Sequence, residues 1–123
     1  MLIPARPITA FFILQIVVFV YSAINAMPAL AHSRLLASQP EHGAKLVQPP
    51  VALVLVFSSP PVPGYARIEL ARNHQWQPLP FVLDETRAKA TLPRLGQGHH
   101  KVRWSVISRD GHRQYGTIEF FIR

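Results

Sequence analysis

Two places in this chain gather nitrogen and oxygen donors. One is His32, which directly follows Ala29-Leu30-Ala31, a small-x-small sequence of the kind a signal peptidase cuts. Cleavage there would leave a free α-amine beside the imidazole of the same residue, and the two groups together close a chelate ring on a metal ion. The other is Asp110-Gly111-His112. In a turn or extended geometry, positions i and i+2 can direct a carboxylate and an imidazole toward one point. If the segment after His32 lies near that turn, the donors are an amine nitrogen, two imidazole nitrogens and a carboxylate oxygen. Such a tetragonal N,O set suits Cu(II), while zinc takes similar donors in a tetrahedron. Taken alone, Asp-Gly is a common turn with an exposed histidine beside it. The pairing with His32 gives it chemical meaning.

Composition narrows the metal chemistry. The chain has no cysteine, and its two methionines, Met1 and Met27, both precede His32. The segment from 32 onward therefore offers neither thiolate nor thioether, which excludes a methionine-rich cuprous site and favours copper(II), zinc or nickel over the soft cuprous ion.

The elements that must position these donors begin after a leader. Arg6 precedes a run from Ile8 to Tyr21 that is apolar except for Thr9 and Gln15, and the small residues before His32 complete the order of a secretory signal peptide. That run is shorter than the ~20 residues a membrane-spanning helix needs. Residues 1–31 are therefore expected to be a cleaved leader and residues 32–123 one exported domain. The chain carries a formal charge of +7, or +6 without Arg6. The basic residues are spread along it without forming a block, and an exported chain meets little nucleic acid. Lipid headgroups or an acidic partner are more natural counterparts than nucleic acid, beside the plainer reading of a soluble basic surface.

From His32 the chain reads as short strands between turn residues. Leu35-Leu36 open a first strand that ends at Gln39-Pro40, and Glu41 to Ala44 form a turn. Val51 to Phe57 is an apolar run bracketed by Pro49-Pro50 and Pro60-Pro61, which fits a central strand. Arg67 to Leu70 and Ala88 to Leu92 are further candidates. Val102, Trp104, Val106 and Ser108 share one face of a strand, and Gly116, Ile118, Phe120 and Ile122 share one face of the next. Asp110-Gly111 joins the two as a hairpin. No segment shows convincing helical periodicity. Six or seven short strands in one small domain predict an all-β fold, a small sandwich.

The other histidines rank below these. His42 and His74 are expected in solvated turns. His99 and His100 fall on opposite faces of a strand, with His100 packing inward, and Trp104 belongs to the core. Arg109 stands beside the candidate donors, where tuning the site's charge and plain solvation are both open.

The whole segment after the leader resembles the CopC family of periplasmic copper-binding proteins. The resemblance rests on Ala31-His32-Ser33-Arg34-Leu35, Ser38-Gln39-Pro40 with Gly43-Ala44, and Leu53 to Ser58. It continues through Gly98 to His112, with its Trp-x-Val-x-Ser-x-Asp-Gly-His string, and the strand from Gly116 to Phe120. It implies a Greek-key β-sandwich or barrel, cupredoxin-like or immunoglobulin-like, that binds one Cu(II) per chain without catalysis. His32 would supply its amine and ring, Asp110 a carboxylate and His112 a second imidazole. The expected role is copper tolerance, homeostasis or delivery by a periplasmic monomer, with a CopD-type inner-membrane copper transport protein as partner. The chain departs from the family in having Ser59 where many relatives carry an acidic residue, and in lacking a methionine-rich site. Two alternatives stand beside this expectation. One is a metal-free sandwich acting as an interaction module at the membrane surface. The other is a copper oxygenase with a histidine brace, for which the domain is small and in which Asp110 would occupy a position that oxygen needs.

Overall fold

The computed structural model describes residues 12–18 and 32–123. Residues 12–18 are helical and exposed, and they belong to the apolar run of the expected leader. Their side chains are apolar all round apart from Gln15, so no periodicity distinguishes them as helical in sequence. No helix among the described residues is long and apolar enough to cross a membrane. The cleavage position after Ala31, and the rest of the expected leader, lie outside the described residues.

Residues 32–123 form two packed sheets. The strands are β1 (Leu35–Gln39), β2 (Ala44–Leu46), β3 (Ala52–Phe57), β4 (Arg67–Arg72), β5 (Gln75–Pro78), β6 (Phe81–Asp84), β7 (Arg87–Thr91), β8 (Gly98–Ile107) and β9 (Arg113–Ile122). The four-stranded sheet runs β1-β3-β7-β6 and the five-stranded sheet β2-β9-β8-β4-β5. The expected all-β sandwich is the observed fold. Alternating residues of each strand supply the core between the sheets: Leu53, Leu55 and Phe57 from β3, Ile68 and Leu70 from β4, Val102, Trp104 and Val106 from β8, and Ile118, Phe120 and Ile122 from β9. The apolar run at β3 sits between two strands of its sheet, as its composition requires.

The strand count exceeds the six or seven expected, because three strands lack sequence signals. β5 is exposed at all four residues and ends in a proline, so it shows no alternation. β6 is separated from it only by Leu79-Pro80. β2 is three residues long, and its first residue, Ala44, is also the last of the expected turn from Glu41. It pairs parallel to β9, with Ala44 opposite Phe120, a contact that only the folded sheet creates.

The longest pairing, β8 with β9, runs in register from Gly98 opposite Ile122 to Ile107 opposite Arg113. Within it Trp104 lies opposite Gly116. A Cβ at 116 would meet Trp104 Cζ2 at 2.9 Å, so this position must be glycine for the indole to lie flat in the core. Trp104 also packs edge-on against Phe57, with ring centroids 5.4 Å apart. This confirms its expected place in the core, where Nε1 is buried without a hydrogen-bond partner.

Candidate metal centre

The β8–β9 hairpin turns through Ser108 to His112. The Ser108 N–H donates to the His112 carbonyl at 2.8 Å, and the Gly111 N–H to the Ser108 carbonyl at 2.9 Å. Gly111 takes φ +86°, a left-handed conformation that costs glycine little and other residues more. This compact turn leaves Asp110 and His112 on the same side. Asp110 Oδ1 accepts the His112 backbone N–H at 3.1 Å, closing an Asx turn. The other oxygen, Oδ2, lies 3.1 Å from His112 Nδ1.

His32 reaches the same oxygen from the far end of the sequence. Its Nδ1 is 3.3 Å from Asp110 Oδ2. The two imidazoles lie nearly parallel, with centroids 5.5 Å apart and an interplanar angle of 7°. One ligand atom from each of His32, Asp110 and His112 falls within 4.8 Å of the others, a spacing that could hold a metal ion. The fold thus brings together the three side chains singled out in sequence. The α-amine of His32, which requires cleavage, lies outside what the structure describes.

A set of serines holds His32 in place, and sequence reasoning missed their part. Ser58 Oγ donates to the His32 carbonyl at 2.7 Å and accepts the Arg34 N–H at 2.9 Å. The Ser58 N–H donates to the Arg34 carbonyl at 2.8 Å. Ser59 Oγ donates to the same His32 carbonyl at 3.1 Å. Its single proton is then used, so in the 3.2 Å contact with Ser33 it is Ser33 Oγ that donates. Finally the Ser33 N–H donates to Ser108 Oγ at 2.9 Å, and both of these serines are fully buried. The Ser33–Ser108 bond fastens the segment after His32 directly to the turn that carries Asp110 and His112. The signal available in sequence is Ser108 itself, a hydroxyl that continues the core-facing phase of Val102, Trp104 and Val106. Ser59 stood out only as a missing acid, whereas its work is to hold a backbone carbonyl.

Charge at the centre is organised around Asp110. Its carboxyl is held below the ordinary carboxylate range, first by the hydrogen bond from the His112 backbone N–H. Partial desolvation opposes this, and the neighbouring His112 and His32 imidazoles reinforce it. The group therefore stays anionic at neutral pH, a permanent acceptor between two nitrogen donors. Arg109 is exposed and lines an adjacent cleft of about 610 Å³ with Pro60, Pro61, Phe81 and Leu83. It forms no ion pair among the described residues.

The remaining histidines do not join the centre. His42 is exposed in a turn, as expected, and its Nδ1 accepts the Glu119 backbone N–H at 3.1 Å, which ties the turn before β2 to β9. His99 pairs with Glu119 at 3.6 Å. His100 packs against Phe120 as expected, with centroids 5.6 Å apart, and its Nε2 lies 2.8 Å from the Gly96 carbonyl. His74 sits at φ +62° in the β4–β5 turn.

Residues 35–123 match the family model of the CopC domain. The chain belongs to the CopC domain family. The match includes Asp110 and His112, and His32 lies just before it. Protein YobA of Escherichia coli K12 is 29% identical over 99 residues, covering 76% of this chain and 80% of that protein. The same figures hold for protein YobA of Shigella flexneri. Among solved structures, CopC from Methylosinus trichosporium OB3b superposes with a TM-score of 0.66 at 23% identity, covering 74% of this chain and 93% of that one. PcoC, a methionine-rich copper resistance protein from Escherichia coli, gives 0.59 at 22% identity, covering 76% of this chain and all of that one. These likenesses bear out the CopC-like sandwich. Unlike the methionine-rich relative, this CopC-family domain has no methionine from residue 32 onward.

Proposed function

We propose that this protein binds one Cu(II) per chain through the α-amine and Nδ1 of His32, the carboxylate of Asp110 and the imidazole of His112. It does so after export to the periplasm and cleavage between Ala31 and His32. One observation carries the reading: the imidazole nitrogens of two histidines from opposite ends of the domain lie 3.3 and 3.1 Å from one carboxylate oxygen. Ring and amine of His32 lie close enough in the residue to act as one bidentate ligand. An anionic oxygen with neutral nitrogens suits Cu(II) better than a soft ion. The family membership and the copper resistance role of PcoC point the same way.

In this reading the chain carries copper and performs no catalysis, serving copper tolerance, homeostasis or delivery as a monomer. A CopD-type inner-membrane transport protein is the proposed recipient. Ser59 in place of an acidic residue removes no donor from the proposed set, because its hydroxyl already engages the His32 carbonyl. Metal binding should displace any proton held on the ligating imidazole nitrogens. The serine-held backbone should keep the histidine rings near their final places, so that little ordering remains to be done on binding.

The deciding experiment is Cu(II) titration followed by EPR on two proteins. One begins at His32, and the other has a single alanine placed before it. Tight one-to-one binding with a nitrogen-rich tetragonal spectrum, altered by the extra alanine, is expected. Identical weak spectra from both would overturn the assignment and leave a metal-free interaction module. Sustained turnover with ascorbate and oxygen would instead favour an oxygenase.

A further inference from the structure

The outer face of the five-stranded sheet carries a second chemistry, away from the metal ligands. Strand register sets Arg67 opposite Ser105 and Ser105 opposite Tyr115, in one row across β4, β8 and β9. Together with Arg103 and Arg113 these residues line a shallow dish of about 430 Å³. Arg103 is committed: it is bonded to Glu69 at 2.6 Å and stacked on Trp76 with its guanidinium carbon 4.3 Å from the ring centroid. Arg67 and Arg113 are exposed and face no carboxylate among the described residues. The dish thus holds three guanidiniums against the single carboxylate of Glu69.

The same face is also unusually aromatic for a solvated surface. Tyr115 is 77% exposed, Phe121 45% and Trp76 37%. A soluble anion would use the arginines and leave the rings idle. An apolar ligand would use the rings and leave two guanidiniums unmatched. A flat surface with guanidiniums at phosphate height and rings able to enter the headgroup boundary matches a membrane interface. The +6 formal charge of residues 32–123 adds long-range attraction toward an anionic bilayer.

We propose that this sheet face docks on a lipid bilayer bearing anionic phosphate headgroups, with Arg67 and Arg113 taking the phosphates and Tyr115 resting among the headgroups. Arg113 directly follows His112, so docking holds the candidate metal centre close to the interface. The surface does not depend on the copper reading, and its test needs no metal.

The test is co-sedimentation of residues 32–123 with vesicles. That segment contains every strand and all core residues among the described residues. Vesicles of phosphatidylcholine with phosphatidylglycerol should bind it, pure phosphatidylcholine should not, and added salt should weaken binding. Each surface arginine is worth about fivefold in partitioning, so Arg67→Gln with Arg113→Gln should lose about 25-fold. Arg87→Gln with Lys89→Gln makes the same charge change on the opposite sheet and should leave binding nearly unchanged. Tyr115→Ala should weaken vesicle binding. Equal losses in the two double variants, equal binding to neutral vesicles, or saturable binding of inorganic phosphate without vesicle binding would each overturn the proposal. Capture of an acidic protein with no vesicle binding would do so as well. None of these results would alter the EPR expected of the metal centre.

Discussion

Removing the hydroxyls of Ser58 and Ser59 together tests whether His32 is positioned before metal arrives. Ser58 Oγ makes two hydrogen bonds to the backbone of residues 32 and 34, and Ser59 Oγ adds a second donor to the His32 carbonyl. Most of these groups are near solvent, so water replaces part of what is lost. Each such bond is worth about 0.5–1.5 kcal/mol at most, and the double variant should lose roughly 1–3 kcal/mol of stability. A domain of this size has roughly 5–14 kcal/mol, so it should stay folded. Freed from the serines, His32 must be ordered at the moment of binding, which costs about 1–2 kcal/mol for one residue's backbone. Cu(II) affinity should therefore fall about 5- to 30-fold. Competitive titration against a chelator would measure this, with EPR to check the donor set. The spectrum should not change, because no ligand has been removed. An unchanged affinity in a destabilised but folded variant would refute the positioning argument. An altered donor set would show that the serines shape coordination in some other way.

Other outcomes follow from the same geometry. His32→Ala should lose amine-ring chelation and weaken Cu(II) binding far more than His42→Ala. The latter should cost only about 0.5–1.5 kcal/mol of stability through the lost Glu119 N–H bond, read by urea unfolding. Gly116→Ala should destabilise by about 1–3 kcal/mol, because its methyl meets the Trp104 ring at 2.9 Å, and thermal unfolding with copper-free protein would measure it. On acidification from pH 8 to 5, Cu(II) affinity should fall as protons compete for imidazole nitrogens in their general range near pH ~6.5. Asp110 does not contribute in that window. Its lowered pKa means that its stabilising interactions are complete above the ordinary carboxylate value and are lost only as pH falls through the lowered one. Asp110→Asn should therefore lack the small acid-side loss of stability seen in the parent, measured by unfolding at low pH.

Much of this protein is written locally. The period-two alternation of β8 and β9 and the Asp110-Gly111 turn specify the long hairpin, because side chains of a strand must alternate between core and solvent. The apolar run at β3 specifies a strand inside its sheet. The donor types at 32, 110 and 112, with no sulfur from residue 32 onward, determine which metals the chain can favour. Tertiary structure decided what local pattern cannot carry. β2 exists only because β9 offers it an edge, and β5 persists as an exposed strand because β4 pairs with it. The meeting of His32 with Asp110 depends on Ser33 and Ser108, residues 75 positions apart, where the Ser33 backbone N–H donates to the Ser108 hydroxyl only once the two sheets have packed. Ser59 looked like an absent acid and proved to hold a carbonyl, since a hydroxyl's partner depends on what the fold sets beside it. Residue types thus set the available chemistry, and long-range packing brings the donors to one point.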